Sequence, residues 1–346
     1  MRDADGRLSR LPALDGVRAI AILLVVAGHF IGFGGLGVAG VTVFFVLSGF
    51  LITRLLVAEM EGTGHLRFGR FYWRRACRIL PAYMVWVGAT WLILGNAALL
   101  DDRRALVGLL TYTYNYVTPT PWGFNSIIHP AWSLSVEEQF YFLWPLALSL
   151  LTVARARKAL VLFLGAVVVW RAIAAFGLHL PQTYLDWAFE TNACSLAAGC
   201  WLALYTIEGQ PAWWTRFARP PAVTITLGLI LSALCLGMQP MAGTALWAVP
   251  LATVVAFCFV SLALPLGRHA TLAHPVLRWI GAVSYSLYLW HLWGLGLGES
   301  LPVPRWLQLP VGLAIALFLA SASYYLIERP VLSWRDAVPT PAPVPA

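Results

Sequence analysis

The stretch "LDGVRAIAILLVVAGHFIGFG", residues 14–34, decides the fold. Its apolar core is long enough to cross a hydrocarbon layer, which takes about 20 residues. Yet it carries Arg18 near one end and His29 in its second half. At 100° per residue, a spacing of eleven is three turns plus about 20°. Both side chains therefore leave one helix face, roughly 16 Å apart along the axis. Either residue alone reads equally well as a cytoplasmic anchor (Arg18) or a packed, hydrogen-bonded imidazole (His29). Ionisable groups at membrane depth are costly and usually functional. The pair on one face therefore points to a channel, with Arg18 at the cytoplasmic mouth and His29 about half a bilayer deeper.

Composition extends this reading to the whole chain. Of 346 residues, 60% are hydrophobic and 11% charged, where a soluble domain carries about 25% charge; the mean hydropathy is +0.75. Apolar runs recur near 14–33, 38–56, 79–95, 137–153, 159–177, 188–206, 222–238, 244–264, 279–297 and 309–327. The expectation is an all-α polytopic membrane protein with about ten transmembrane helices. An eleventh segment, 105–117, is short and rich in Tyr and Thr, and reads as re-entrant or interfacial. Residues 1–13 form a cytoplasmic segment and 14–330 a single transmembrane domain. Residues 331–346, ending in "PTPAPVPA", are too Pro-rich to build a core.

Orientation follows from basic residues, which are retained on the cytoplasmic side. With both termini cytoplasmic, only Arg103, Arg104, Arg171 and Arg305 of the 23 Lys and Arg fall in the outer half. The net charge of +8 then reflects topology, and no nucleic-acid partner is implied. The first helix has no clear small-residue cleavage site after it and reads as retained. Cys77, Cys194, Cys200, Cys235 and Cys258 lie in or beside spans with no CxxC spacing and read as small core residues, with neither metal nor disulfide implied. No repeat is strong enough to argue an inverted-repeat transporter.

Further constellations carry chemistry. In "FGRFYWRRACRILPAY", 68–83, spacings of four place Arg70, Arg74 and Arg78 on one face if the helix starts this early, and Arg75 neighbours Arg78 at a spacing of three. The cluster reads as a topology determinant touching anionic lipid, or as an anion pocket whose guanidinium forks suit phosphates. In "HPAWSLSVEEQFYFLWP", 129–145, Ser135 followed by Glu138 makes a capping-box pattern that accounts for Glu138. Glu137 has no such account beyond the helix dipole. Beside Trp132, Ser133 and Tyr141, it can orient an imidazole or a sugar hydroxyl. In "VSYSLYLWHLW" His291 lies within the ninth span near Tyr285 and Tyr288, and a packed, hydrogen-bonded role competes with a substrate contact. Arg171, in the outer half of the fifth span, needs a carboxylate or water, and Glu190 and Asp186 are the candidate carboxylates.

The Arg18-to-His29 spacing, "GVTVFFVLSGFLITRLL", "FYWRRACRILP", "HPAWSLSVEEQFYFLWP" and "VSYSLYLWHLW", in this order from residue 14 to about 330, resemble the acyltransferase 3 family of integral membrane acyltransferases. The resemblance implies ten spans with both termini inside and transfer of an acyl group from acyl-CoA to a hydroxyl, usually on a carbohydrate. It maps the first-helix motif onto Arg18 and His29, and the RRxxR run onto Arg74, Arg75 and Arg78. Thr42 stands where a common form of the second-helix motif, GVDxFFVLSGF, has an acid. Some members carry a fused extracytoplasmic esterase-like domain, for which this sequence shows a short Pro-rich tail; a separate extracytoplasmic partner protein is one expectation.

The implied machinery is then as follows. Arg74, Arg75, Arg78 and Arg18 take the CoA phosphates, and the pantetheine arm carries the thioester to His29. His29 acts as general base or transient acyl carrier. Glu137, Trp132, Ser133, Tyr141, His291 and a turn of "FFVLSGF" around Ser48 and Gly49 line the acceptor side. Acetyl-CoA is the default donor, no metal is called for, and the acceptor is a carbohydrate, glycolipid or secreted metabolite, all set in the cytoplasmic membrane and its lipids. The rival from another class is a multi-span transporter or lipid exporter using the same intramembrane polar residues.

Overall fold

A computed structural model of the chain describes residues 11–98, 103–117, 127–207, 248–265 and 271–337. Among them every element is helical: α1 (Pro12–Phe30), α2 (Gly34–Thr63), α3 (Phe68–Ala98), α4 (Arg103–Thr111), a 3-10 turn (Tyr114–Tyr116), α5 (Ala131–Ser149), α6 (Val153–Ala172), α7 (Gln182–Trp187) and α8 (Phe189–Tyr205), followed by α9 (Ala248–Ala263), α10 (Pro275–Ser300), α11 (Arg305–Ser323) and α12 (Arg329–Ala337). Single π-turns, Ile173–Gly177 and Tyr324–Glu328, extend α6 and α11.

Among the described residues, five stretches are long and apolar enough to cross a membrane: Pro12–Phe30, Gly34–Thr63, Phe68–Ile93, Val153–Gly177 and Arg305–Ala337. Helices α5 and α10 have the length, at 19 and 26 residues, but polar and aromatic side chains dilute their apolar character. Helices α8 and α9 have 17 and 16 residues. The expected span 222–238 and Cys235 lie outside the described residues. The segment 105–117 holds most of the nine-residue α4 and a three-residue 3-10 turn, both too short to reach across a bilayer.

Several local expectations change. Helix α1 ends at Phe30, so His29 sits in its last turn rather than deep inside a longer helix. Helix α5 starts at Ala131, six residues ahead of the apolar run, because its first turns carry a buried polar face. Ser135 is therefore no cap; its hydroxyl donates to the Ala131 carbonyl 2.8 Å away, as a mid-helix serine does. "FFVLSGF" is not a turn but the middle of the 30-residue α2. Helix α3 does begin early, at Phe68, so Arg70, Arg74 and Arg78 lie along one helix at spacings of four. Cys77, Cys194 and Cys200 are buried, whereas Cys258 is exposed.

The chain divides into two compact units, one of residues 1–66 and 102–284, the other of 67–101 and 285–346. In the first, α2 is the central helix, packed on α1, α8 and α9. Its core joins Val17 and Ala21 of α1, Val46, Leu47 and Phe50 of α2, Leu202 of α8, and Phe259 and Val260 of α9. The α2–α8 crossing admits no side chain at its centre. A Cβ on Gly49 would stand 2.0 Å from the Leu196 carbonyl oxygen, and one on Gly199 1.9 Å from that of Val46. Small residues let apolar helices approach to backbone contact, where dispersion is greatest. In the second unit, Tyr285 donates to the Ile79 carbonyl (3.0 Å), and Trp293 Nε1 to the Thr90 hydroxyl (3.1 Å). Ser286 donates to the buried Glu328 carboxylate.

The crossing predicts a sharp contrast among alanine substitutions. Gly49→Ala and Gly199→Ala each force backbone apart, and overpacking of this kind costs about 1–3 kcal/mol or more. Gly165→Ala on α6 meets nothing within 4 Å and should be neutral or stabilising by up to about 1 kcal/mol. Thermal unfolding of the detergent-extracted chain should show a lowered midpoint for the first two and none for the third. Equal midpoints for all three would contradict the crossing.

Candidate active site

In the first unit, α1 presents Arg18 and His29 at opposite ends of one face. Arg18 Nη2 donates to the Ser284 hydroxyl at 3.1 Å, and Ser284 in turn donates to the Gly281 carbonyl at 2.8 Å. His29, 8% exposed, places Nδ1 2.9 Å from the Val25 carbonyl oxygen one turn back. A carbonyl can only accept, so Nδ1 carries the proton and Nε2 is the ring's acceptor nitrogen. A Cβ on Gly37 would lie 3.6 Å from His29 Cε1, so the start of α2 passes directly beside the imidazole.

A second histidine completes this end of the unit. His129, in the turn before α5 and 5% exposed, meets His29 edge to face with ring centroids 5.9 Å apart. Burial, with the neighbouring His29 adding to it, pushes His129 down to about 3, so it stays a neutral imidazole. Its other side meets Trp187 of α7 at 5.0 Å. Trp187 stacks on Trp132 at 6.4 Å and 15°, and Trp132 meets the edge of Phe45 at 6.2 Å.

Helix α5 carries Ser133, Glu137 and Tyr141 at spacings of four, hence on one face. Ser48 of α2 and Tyr141 both donate to Glu137 Oε1, and the two hydroxyls touch each other. Ser133 is buried, and its hydroxyl donates to the Pro130 carbonyl at 3.2 Å. Further along, Trp144 Nε1 donates to the Thr53 hydroxyl at 2.9 Å. The pairs Phe45–Trp132, Ser48–Glu137 and Thr53–Trp144 advance together, so α2 and α5 run in the same direction. Gln139 Nε2 bonds the Tyr112 carbonyl (2.7 Å) and Asn115 Oδ1 (2.8 Å), tying the segment after α4 to α5.

Arg171, fully buried, donates from Nη1 to the carbonyls of Leu185 (2.7 Å) and Thr191 (3.1 Å). Asp186 lies close enough for its charge to be felt, and burial raises its carboxyl while Arg171 opposes the rise. Glu190 is taken by the hydroxyls of Tyr116 (2.7 Å) and Tyr184. Burial first, then the bond to Glu190, pushes Tyr184 up to about 12, which keeps its hydroxyl a donor.

The structure thus gathers His29, Ser48, Trp132, Ser133, Glu137 and Tyr141 in one unit with Arg18. Arg74, Arg75, Arg78 and His291 belong to the other; there His291 Nδ1 donates to the Tyr288 carbonyl at 2.8 Å. Sequence reasoning passed over His129 and Trp187. His129 heads a quoted motif but precedes the helix, where no periodicity marks it. Trp187 lies on a six-residue helix with no local signal at all.

The Glu137 cluster predicts energetic coupling. In a double-mutant cycle on thermal unfolding, Glu137→Gln and Tyr141→Phe should be non-additive by about 0.5–3 kcal/mol, as for groups sharing one network. Additive effects would show that the two do not interact.

A family model described as an acyltransferase domain matches residues 11–325. The chain is similar to YrhL of Bacillus subtilis (strain 168), provisionally named a peptidoglycan O-acetyltransferase, at 30% identity over 93% of this chain and 55% of that protein. It is 28% identical to the peptidoglycan O-acetyltransferase OatA of Listeria monocytogenes serovar 1/2a, over 93% of this chain and 56% of that protein. A Staphylococcus aureus (strain MRSA252) protein provisionally named an O-acetyltransferase is 28% identical over 96% and 60%. The chain therefore spans little more than half the length of these relatives. No solved structure matches it.

Proposed function

Because the chain belongs to the acyltransferase 3 family, we propose that it moves an acyl group, acetyl by default, from acyl-CoA to a hydroxyl of a carbohydrate acceptor. The relatives' names direct that proposal to a glycan of the peptidoglycan type, reached from the cytoplasmic membrane. The observation that carries the reading is the bond from His29 Nδ1 to the Val25 carbonyl, which leaves Nε2 as a base at the end of α1 where α2 begins.

On this reading, Nε2 takes the proton of the acceptor hydroxyl as its oxygen bonds to the thioester carbonyl carbon. The C–S bond then breaks, and the proton on Nε2 passes to the departing thiolate, so the imidazole ends neutral. The Val25 bond favours this role over an acyl carrier. A neutral imidazole acylated at Nε2 has no proton on Nδ1, and the carbonyl would then face a lone pair. Glu137, held by Ser48 and Tyr141, gives the acceptor side an anchored carboxylate for sugar hydroxyls. Arg74, Arg75 and Arg78 are the groups proposed to hold CoA phosphates by their forked guanidinium geometry.

The test is turnover of labelled acetyl-CoA by the purified chain, as hydrolysis or as transfer. His29→Ala should lower turnover by a factor on the order of 10² to 10⁴, the range for losing a general base, while acetyl-CoA binding persists. Arg78→Gln should raise the KM for acetyl-CoA with little effect on the acceptor's, because a contact remote from the reacting atoms supplies binding alone. A folded His29→Ala chain with normal turnover contradicts the mechanism, and a wild-type chain indifferent to acetyl-CoA contradicts the activity.

A further inference from the structure

The six-residue helix α7 is held far more firmly than a connector between α6 and α8 needs. The carbonyls on either side of Trp187 are each taken by a buried side chain. Arg171 Nη1 holds that of Leu185 at 2.7 Å. Asn192 Nδ2 holds those of Asp186 (2.9 Å) and Ala188 (3.0 Å), and the Thr191 hydroxyl also donates to Ala188 at 2.8 Å. Tyr184, one turn back, is bonded to Glu190. Desolvating a guanidinium costs several kcal/mol, offset only when its donors are well placed. Here those donors fix the backbone just before an indole.

Trp187 is delivered to the row of rings that ends in His29. Two ring-to-ring steps, 5.0 Å to His129 and 5.9 Å from there to His29, put it no farther than about 11 Å from the proposed base. Trp132, 8% exposed, backs one indole face, while Trp187 itself is only half-buried. An indole fixed in this way, half-buried, keeps part of its flat apolar surface exposed beside an imidazole. A pyranose ring has the matching chemistry: axial C–H groups on its faces and hydroxyls around its edge. An acyclic polyol has the hydroxyls without the face.

We propose that Trp187, backed by Trp132 and bounded by His129, is the acceptor subsite, where the apolar face of a saccharide ring stacks while an edge hydroxyl is turned toward His29. The inference rests on the transferase reading above and adds to it the residue that selects a ring.

The experiment measures acetyl transfer by the full chain in lipid vesicles at saturating labelled acetyl-CoA, with chitotetraose or sorbitol as acceptor and hydrolysis in water as the reference. The wild-type chain should show a chitotetraose KM at least tenfold below that of sorbitol. Trp187→Ala should raise the chitotetraose KM tenfold or more with kcat changed less than threefold, and the sorbitol KM should move less than twofold. Trp187→Phe, which keeps a ring, should restore most of the chitotetraose KM. An unchanged chitotetraose KM in Trp187→Ala overturns the subsite, as does an equal rise for both acceptors. Wild-type hydrolysis with no transfer to chitotetraose also overturns it, while leaving the donor half of the transferase reading in place. Absence of hydrolysis as well removes both.

Discussion

The closeness of α2 and α8 at Gly49 and Gly199 is the constraint on which the rest of the first unit depends. Each glycine stands where a Cβ would overlap a carbonyl of the other helix, so the two backbones are locked in both depth and rotation. With α2 fixed in this way, Gly37 lies against His29, Phe45 against Trp132, Ser48 against Glu137 and Thr53 against Trp144. A rotation of α2 by one residue, 100°, would break all four relations together. The glycine in "FFVLSGF" is thus a packing requirement, and the serine before it belongs to the polar site. Neighbours in sequence serve different ends because successive residues leave a helix on different faces.

Backbone carbonyls do much of the work that charges do in soluble sites. His29 is oriented by Val25, Arg171 by Leu185 and Thr191, and Ser133 by Pro130. In an apolar surrounding an unmet polar group costs several kcal/mol, and carbonyls are the acceptors most abundantly present. A carboxylate on His29 Nδ1 would favour the imidazolium, whereas a carbonyl fixes the tautomer with less pull on the proton. Glu137 is arranged the opposite way, with two hydroxyls donating to a single carboxylate oxygen.

Much of this was legible in the chain. Helix periodicity alone placed Arg18 and His29 on one face, and the motif "HPAWSLSVEEQFYFLWP" named Glu137 beside Trp132, Ser133 and Tyr141 without the shared face that α5 gives Ser133, Glu137 and Tyr141. What failed did so for physical reasons. The Ser135–Glu138 pattern resembled a cap because both residues suit a helix start, but α5 begins at Ala131, and its buried polar turns hid the true boundary. The sequence offered Arg171 a carboxylate or water, with Asp186 and Glu190 as candidates; the Leu185 and Thr191 carbonyls that also hold it leave no trace in composition. His129 and Trp187 are 58 residues apart in sequence and 5.0 Å apart in space. No local pattern encodes a contact made by a turn and a six-residue helix.

The Val25 bond puts the proton of His29 on Nδ1 and a lone pair on Nε2, the tautomer that the proposed base role requires. Solid-state nitrogen NMR of the histidine-labelled chain in lipid, with the His29→Gln spectrum subtracted, reads this directly. The account predicts a protonated Nδ1 and a bare Nε2 for His29. A proton on Nε2 with a bare Nδ1 would contradict it, since no base would then face the hydroxyl.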